Sequence, residues 1–237
     1  MPALLIALLA AATPVAPAEA PVRALIVTGV DHPAHNWVKT APVVRSILEQ
    51  GGRITARIVE DPEFLASDAI FDYDVIVLHF RNDKPLKHDA QARANLKAFV
   101  ARGGGLVVIH FACGAFPGWS EYGDIVGRVW DTVNTHDPRG PFRVHVINTN
   151  HPITRGCADF DTDDELYTGL AGERPVTLLA QARSKTTGHD HPMAFTLTSG
   201  RGRVFHTPLG HDVKALTVPK VSDLIRKGCL WAAGREP

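Results

Sequence analysis

The sequence predicts a single α/β domain built on a doubly wound, mainly parallel sheet. Three observations carry that prediction. Apolar runs of strand length alternate with helical periodicity through the first half of the chain, polar loops bearing histidines follow the carboxyl ends of those runs, and no Gly/Ser/Pro-rich linker separates the two halves. A chain of 237 residues, 45% of them hydrophobic, has enough apolar material for a substantial core. The domain is assigned to residues 21–237. Residues 1–20 read as a secretory signal peptide, because a short apolar run from Leu4 to Ala12 leads to Ala18-Glu19-Ala20, a small-x-small cleavage pattern, although no Lys or Arg precedes the run. The run is too short to span a bilayer, so the expectation is an exported, periplasmic protein cleaved near Ala20, without a stable membrane anchor.

The elements follow in order. Val22 to Val30 reads as a buried strand, and the turn-forming stretch Asp31-His32-Pro33-Ala34-His35-Asn36-Trp37 lies beyond its carboxyl end. Residues Thr40 to Gln50 have helical spacing with Gly51-Gly52 as the stop, Arg53 to Val59 is a second strand, and Tyr73 to Phe80 a third, with His79 near its end. Asp89 to Ala101 is a helix with Leu96, Phe99 and Val100 on one face. It feeds the central strand, Leu106 to Ile109, which Gly103-Gly104-Gly105 introduces and which delivers His110 at its carboxyl end. Gly114 and Pro117 then predict a loop carrying Phe116, Trp119 and Tyr122. The second half differs. Phe142 to Asn148, Val176 to Ala182, Met193 to Thr198 and Arg203 to Pro208 are short β-like runs separated by turns, which suggests additional mixed or antiparallel pairing at the sheet edge, and Val218 to Trp231 is a closing helix.

Charge and cysteine content narrow the function. Twenty-five basic residues balance twenty-five acidic ones, so no strong field recruits nucleic acid, and no nucleic-acid partner is expected. Three cysteines, Cys113, Cys157 and Cys229, allow one disulfide at most and contain no Cys-x-x-Cys pair. Twelve histidines are the compositional oddity, and imidazole is both a proton carrier near neutral pH and a common metal ligand.

Chemistry-bearing residues gather after strands. His110 and His211 each follow a predicted strand, and His32 lies in the first such loop. His151-Pro152-Ile153 leads to the acidic stretch Asp161-Thr162-Asp163-Asp164-Glu165-Leu166-Tyr167. Asp161 and Asp163 suit a solvated turn equally well. Glu165 is favoured for function because it lies in the strand-like part, where an unpaired charge is costly. His206 alternates within a strand and fits a hydrogen-bonded core residue, while His189 and His191 sit in a predicted loop and read as exposed.

The loop with His32 and Asn36, the run Gly104-Gly105-Leu106-Val107-Val108-Ile109-His110, Trp119, His151-Pro152-Ile153, Asp164-Glu165-Leu166-Tyr167, and Gly202-Arg203-Val204-Phe205 with Gly210-His211 together resemble the ThuA-like trehalose-utilisation family, over nearly the whole mature chain. The resemblance implies a flavodoxin-like fold related to class I glutamine amidotransferases and a role in the catabolism of sugars, including keto-sugar derivatives of disaccharides. Amidotransferases carry their nucleophile in a Gly-x-Cys-x-Gly turn after the central strand. The local counterpart, His110-Phe111-Ala112-Cys113-Gly114, puts Ala112 at that position and Cys113 one residue late, on the opposite face. Thiol-based glutamine hydrolysis is therefore not expected.

The resulting expectation is an enzyme acting on a sugar or keto-sugar glycoside by histidine-based proton transfer, with His110, His32, His211 and Glu165 as catalytic residues. Asn36, Trp37, Trp119 and Tyr167 are assigned to substrate binding, the tryptophans because their flat faces suit a sugar ring. The alternative is a non-catalytic sugar- or partner-binding module that keeps the amidotransferase-like shell without its nucleophile. A compact motif such as His-Glu-x-x-His is absent, so no cofactor is assigned; a divalent metal such as zinc, held by the same histidines, stays an open alternative. The small-molecule partner is a carbohydrate, and a homo-oligomer is compatible with the sequence.

Overall fold

A computed structural model describes residues 19–131 and 135–237. The leader reading over 1–20 thus falls almost entirely outside the described residues. In chain order the strands are β1 (Val22–Val27), β2 (Ile54–Val59), β3 (Val75–Leu78), β4 (Gly105–Ile109), β5 (Thr135–His136), β6 (Gly140–Val146), β7 (Phe160–Asp164), β8 (Tyr167–Thr168), β9 (Thr177–Arg183), β10 (Asp190–Ser199) and β11 (Gly202–Thr207). The helices are α1 (Trp37–Glu49), α2 (Asp89–Ala101), α3 (Ser120–Val126), α4 (Val213–Leu216) and α5 (Pro219–Ala232).

One nine-stranded sheet runs through both halves, in the order β2-β1-β3-β4-β11-β10-β9-β6-β7. Its first five strands are all parallel, in the flavodoxin-like order, and the remaining four continue the sheet antiparallel. The parallel strands are buried on both faces, which is why they read as continuous apolar runs. Alternate residues feed two cores: Ile26 of β1 and Val107 and Ile109 of β4 pack with Val44 and Leu48 of α1 and Leu224 and Ile225 of α5. On the other face Leu25, Ile76, Leu106 and Val108 pack with Leu96 and Phe99 of α2 and Tyr122 of α3. Gly105 allows the first of these layers to close, since a Cβ there would lie 2.6 Å from the carbonyl oxygen of Ala232 in α5.

The boundaries depart from expectation where side-chain chemistry outweighs periodicity. Helix α1 starts at Trp37 because the Asn36 side chain accepts a hydrogen bond from the Lys39 N–H and caps it. The stretch expected to be a loop after the central strand instead forms a 3-10 turn, His110–Gly114, and then α3. Two further 3-10 turns, Pro62–Ala66 and Asp68–Asp72, fill the β2–β3 connection, each opened by a side-chain cap. His191, read as a loop residue, lies in β10, where its Nε2 meets the Thr187 hydroxyl at 2.9 Å.

Candidate functional site

Strand β4 ends at Ile109, and His110 follows with φ 49°, the one non-glycine residue at positive φ among those described. An L-residue is held there only against strain, and here the strain turns the imidazole toward the carboxyl edge of the sheet. The ring is fully buried and its tautomer is fixed: Nδ1–H donates to the carbonyl oxygen of Pro208 at 2.6 Å. Nε2 therefore presents a lone pair. It accepts from the Tyr167 hydroxyl at 2.9 Å and lies 3.5 Å from Oε2 of Glu165.

Glu165 follows directly on β7. The buried Asp164 carboxylate before it accepts three backbone N–H groups, from Glu165, Gly210 and His211, at 2.7–3.1 Å, and so ties the β11 loop to β7. Gly210 makes that loop possible, with φ 112° and Leu216 and Ile109 pressed against it. The loop sets Nδ1 of His211 3.1 Å from Oε2 of Glu165. The two atoms are not aligned for a hydrogen bond, and Nδ1 is buried without a hydrogen-bond partner. His35, from the β1 loop, completes the group. It is buried, stacks on Phe111, and lies with its ring centroid 5.0 Å from that of His110 and 4.9 Å from that of His211. One ligand-capable atom from each of His35, His110, Glu165 and His211 lies within 4.8 Å of the others.

The electrostatics follow from the packing. Burial, and then the neighbouring His110 and His211, push His35 down to about 2, so it is neutral. Burial works to raise Glu165, but its contacts with His110 and His211 outweigh that and hold the carboxyl well below its usual range. Burial likewise pulls His211 down, and the Glu165 carboxylate overrides it and raises the imidazole above its ordinary value. Burial, aided by nearby Cys113 and Glu165, lifts the Tyr167 hydroxyl well above the usual phenol range, so it keeps its proton.

The structure brings His110, His211 and Glu165 together at the carboxyl edge, where their segments were expected to gather, and adds Tyr167 to the group. His32 is adjacent: its ring stacks on His35 at 4.8 Å and its Nδ1 accepts from the Ala34 N–H. The other expected substrate contacts have local duties. Asn36 caps α1, and the half-buried Trp37 donates its indole N–H to Asp31 at 2.8 Å; both line a hollow of about 480 Å³ that also contains His32 and His35. Trp119 is packed between Phe116 and Tyr122, with one edge on a larger cleft of about 720 Å³. That cleft does not reach the imidazoles directly. It connects to them through Trp130, which lines its wall under Arg81 and touches Tyr167 with ring centroids 4.8 Å apart.

Sequence reasoning missed His35, Trp130 and His136. The β5–β8 ribbon pairs His136 with Tyr167. Its Nδ1–H donates to the Asp137 carbonyl oxygen at 2.7 Å, which leaves Nε2 as a lone pair 3.9 Å from Oε1 of Glu165 on a half-exposed ring. A two-residue ribbon has no periodicity to detect, so no signal in the sequence marked it. Other groups fall away from the site. His151 packs on Trp231; Asp161 and Asp163, expected in a solvated turn, instead lie in β7, on its outward side, where Asp161 pairs with Arg143 and Asp163 with Arg139 and Lys214. Cys113 is wholly buried, and burial pushes its thiol up to about 12, which removes it as a nucleophile.

With this geometry in place, comparison with solved structures finds the same fold over most of the chain. A ThuA-like protein from Parabacteroides merdae matches with a TM-score of 0.80 and 25% identity over 91% of each chain. One from Bacteroides uniformis matches at 0.70 and 21% identity, over 94% of this chain and 95% of that one. A beta-galactosidase from Bacillus circulans shares the fold over 92% of this chain but only 32% of its own length, at a TM-score of 0.60 and 14% identity. Comparison with curated proteins gives no match. Residues 23–232 match the family described as ThuA, trehalose utilisation, and a match over that extent, on this fold, means that the chain belongs to the ThuA family.

Proposed function

We propose that this protein is an enzyme of carbohydrate breakdown that acts on a sugar or keto-sugar glycoside by proton transfer, with the imidazole–carboxylate group at the carboxyl edge as its reaction centre. The observation that carries this reading is His110, held at a strained backbone position with its tautomer fixed and its Nε2 lone pair on the Tyr167 hydroxyl and facing Glu165. The family's trehalose-utilisation description supports the substrate class. A carbonyl next to the glycosidic carbon's neighbour acidifies the intervening C–H. A base takes that proton, the electron pair forms an enolate on the carbonyl oxygen, and its collapse expels the glycosidic oxygen, which leaves with a proton from an acid.

The groups present suit these tasks. His136 is the base, because its Nε2 lone pair lies on a half-exposed ring. His211, whose imidazole the Glu165 carboxylate biases toward its charged form, supplies the positive charge that the enolate oxygen needs, and Tyr167, kept protonated, is the acid, turning its O–H from Nε2 of His110 to the leaving oxygen. His110 is sealed behind Tyr167 and works through it. The sugar occupies the cleft beside Trp130 and Trp119, with its reacting end extending past Trp130 to His136, whose ring centroid lies 6.4 Å from that of Trp130, and the leader reading at 1–20 supports a location outside the cytoplasm.

The test is turnover of a panel of glycosides and their 3-keto derivatives. Wild-type protein is expected to cleave keto derivatives, with His136→Ala and His110→Ala each lowering kcat by on the order of a hundredfold and Cys113→Ser changing it by less than about threefold. Binding of glycosides without turnover would favour the non-catalytic module, and loss of activity in Cys113→Ser would overturn the proton-transfer reading.

A further inference from the structure

We propose that His35, His110, Glu165 and His211 bind one divalent transition-metal cation of the zinc type. The inference deepens the functional reading and rests on it for the cation's role, in which the cation would replace the charged His211–Glu165 pair as the group that polarises the carbonyl; it does not rest on it for binding.

The argument is one of unmatched lone pairs. Because Nδ1 of His110 spends its proton on the Pro208 carbonyl, Nε2 is an acceptor; the Tyr167 hydroxyl contacts it from one side, and from the other it faces Oε2 of Glu165, another acceptor, at 3.5 Å. Nδ1 of His211 approaches the same Oε2 to 3.1 Å without hydrogen-bond alignment, and Nδ1 of His35 is buried with no partner at all. Acceptors converging in a buried space are unfavourable unless a proton or a cation takes their lone pairs, and a single cation is within reach of all four groups at once. The donors come from four separate segments, so no turn or helix geometry forces the juxtaposition.

The supports around the group are those of a ligand set. A metal-binding imidazole is oriented by giving its other N–H to a carbonyl or carboxylate, which is what Pro208 does for His110. Asp164 performs the corresponding service for the backbone, fixing Glu165 and His211 together. Three imidazoles and one carboxylate suit zinc and its first-row neighbours, whereas calcium and magnesium take mostly oxygen. Bonds of about 2.0–2.1 Å require donors spread over 4.8 Å to draw inward, a movement that side-chain rotation of His35 and His211 can supply. The cation would take the lone pair of His110 that Tyr167 now contacts, freeing that hydroxyl toward substrate.

The experiment uses untagged full-length chain stripped with chelator and titrated with Zn²⁺, Co²⁺ and Ca²⁺ by calorimetry, with the visible spectrum of the Co²⁺ form recorded alongside. One Zn²⁺ per chain is expected, bound micromolar or tighter, with a Co²⁺ band of low coordination number, a raised melting temperature and no comparable Ca²⁺ uptake. His35→Ala and Glu165→Gln are each expected to weaken Zn²⁺ by about a hundredfold or more. Tyr167→Phe, which keeps all four ligands, and His145→Ala, on β6, should leave binding intact. Absence of saturable uptake by the wild-type chain would overturn the proposal, and so would one-to-one binding that survives His35→Ala and Glu165→Gln together. Because wild-type titration and the Co²⁺ spectrum need no variant, a misfolded mutant does not shield the proposal. Keto-glycoside turnover by chelated, metal-free protein at the rate of the Zn²⁺-loaded chain would overturn the cation's role as the polarising charge and leave the functional reading standing. Tight Zn²⁺ binding with no turnover of any glycoside would do the reverse.

Discussion

Asp164 shows how much one side chain can organise. Its carboxylate is buried, and its two oxygens collect the N–H groups of Glu165, Gly210 and His211, so that one residue sets the distance between the carboxylate and the imidazole on which the proposed chemistry depends. Asp164→Asn replaces an acceptor oxygen with a donor and leaves at least one buried N–H facing another donor. The expected cost is about 3 kcal/mol, read as a lower urea midpoint, together with lost turnover in the fraction that still folds; an unchanged midpoint would show that the loop is held by other means. At this scale the sequence marked Glu165, because a charge in a strand-like segment is costly without a purpose. It placed Asp164 in the segment that carries the family resemblance but gave it no role, because its role depends on burial, and burial is set by what packs on it.

At the scale of the element, β4 joins stability to the site. Its amino end, at Gly105, lies under the last turn of α5, and its carboxyl end releases His110. A valine at 105 would place Cβ 2.6 Å from the Ala232 carbonyl oxygen and 2.9 Å from Val75, and neither the helix backbone nor a packed β-branched neighbour can yield cheaply. Gly105→Val is expected to destabilise by about 2–3 kcal/mol, with turnover per folded molecule unchanged, since the substitution is at the far end of the strand from His110. Equal loss of turnover and stability would show that β4 transmits the shift along its length. The helix and strand assignments were readable here because apolar periodicity is a property of the sequence itself. The 3-10 turn of His110–Gly114 and the helix α3 were not, since Gly114, Pro117 and Gly118 in a short aromatic stretch read as loop punctuation and only packing against β10 and β11 stabilises that helix.

Over the whole molecule, buried neutral histidines set the response to acid. His79 is pushed down to about 3, by burial and then by the neighbouring His110, and His206 to about 4, mainly by burial, with Arg128 adding to it and its bond to the Val126 carbonyl opposing it. His79 otherwise faces the Thr28 hydroxyl and the Phe111 ring, and His206 the Phe195 ring. Both folded values lie below the unfolded value of about 6.5, so the unfolded chain takes up protons that the folded chain refuses. Their contribution is complete above pH 6.5 and is lost as pH falls through 6.5, down to about 4 for His206 and about 3 for His79. Each group adds a slope of up to about 1.4 kcal/mol per pH unit. Urea midpoints between pH 6.5 and 5, above most carboxylate titration, should fall steadily and fall less in His206→Gln; a flat profile in the wild type would refute the assignment.

By itself the sequence determined the α/β architecture, the order of the parallel strands' helices and loops, the family, and the edge of the sheet where His110 and His211 gather. Those follow from local periodicity and from the rule that loops at the carboxyl ends of parallel strands share one edge. The tertiary structure alone decided which members of that edge touch. His35 joins the group while its neighbour His32 lies beside it, His136 enters on a two-residue ribbon, and Asn36 and Trp119 are drawn into a cap and a packed aromatic layer. Contacts between segments far apart in the chain depend on loop geometry and on which side chains are already committed to hydrogen bonds, and neither quantity has a local signature in the order of the residues.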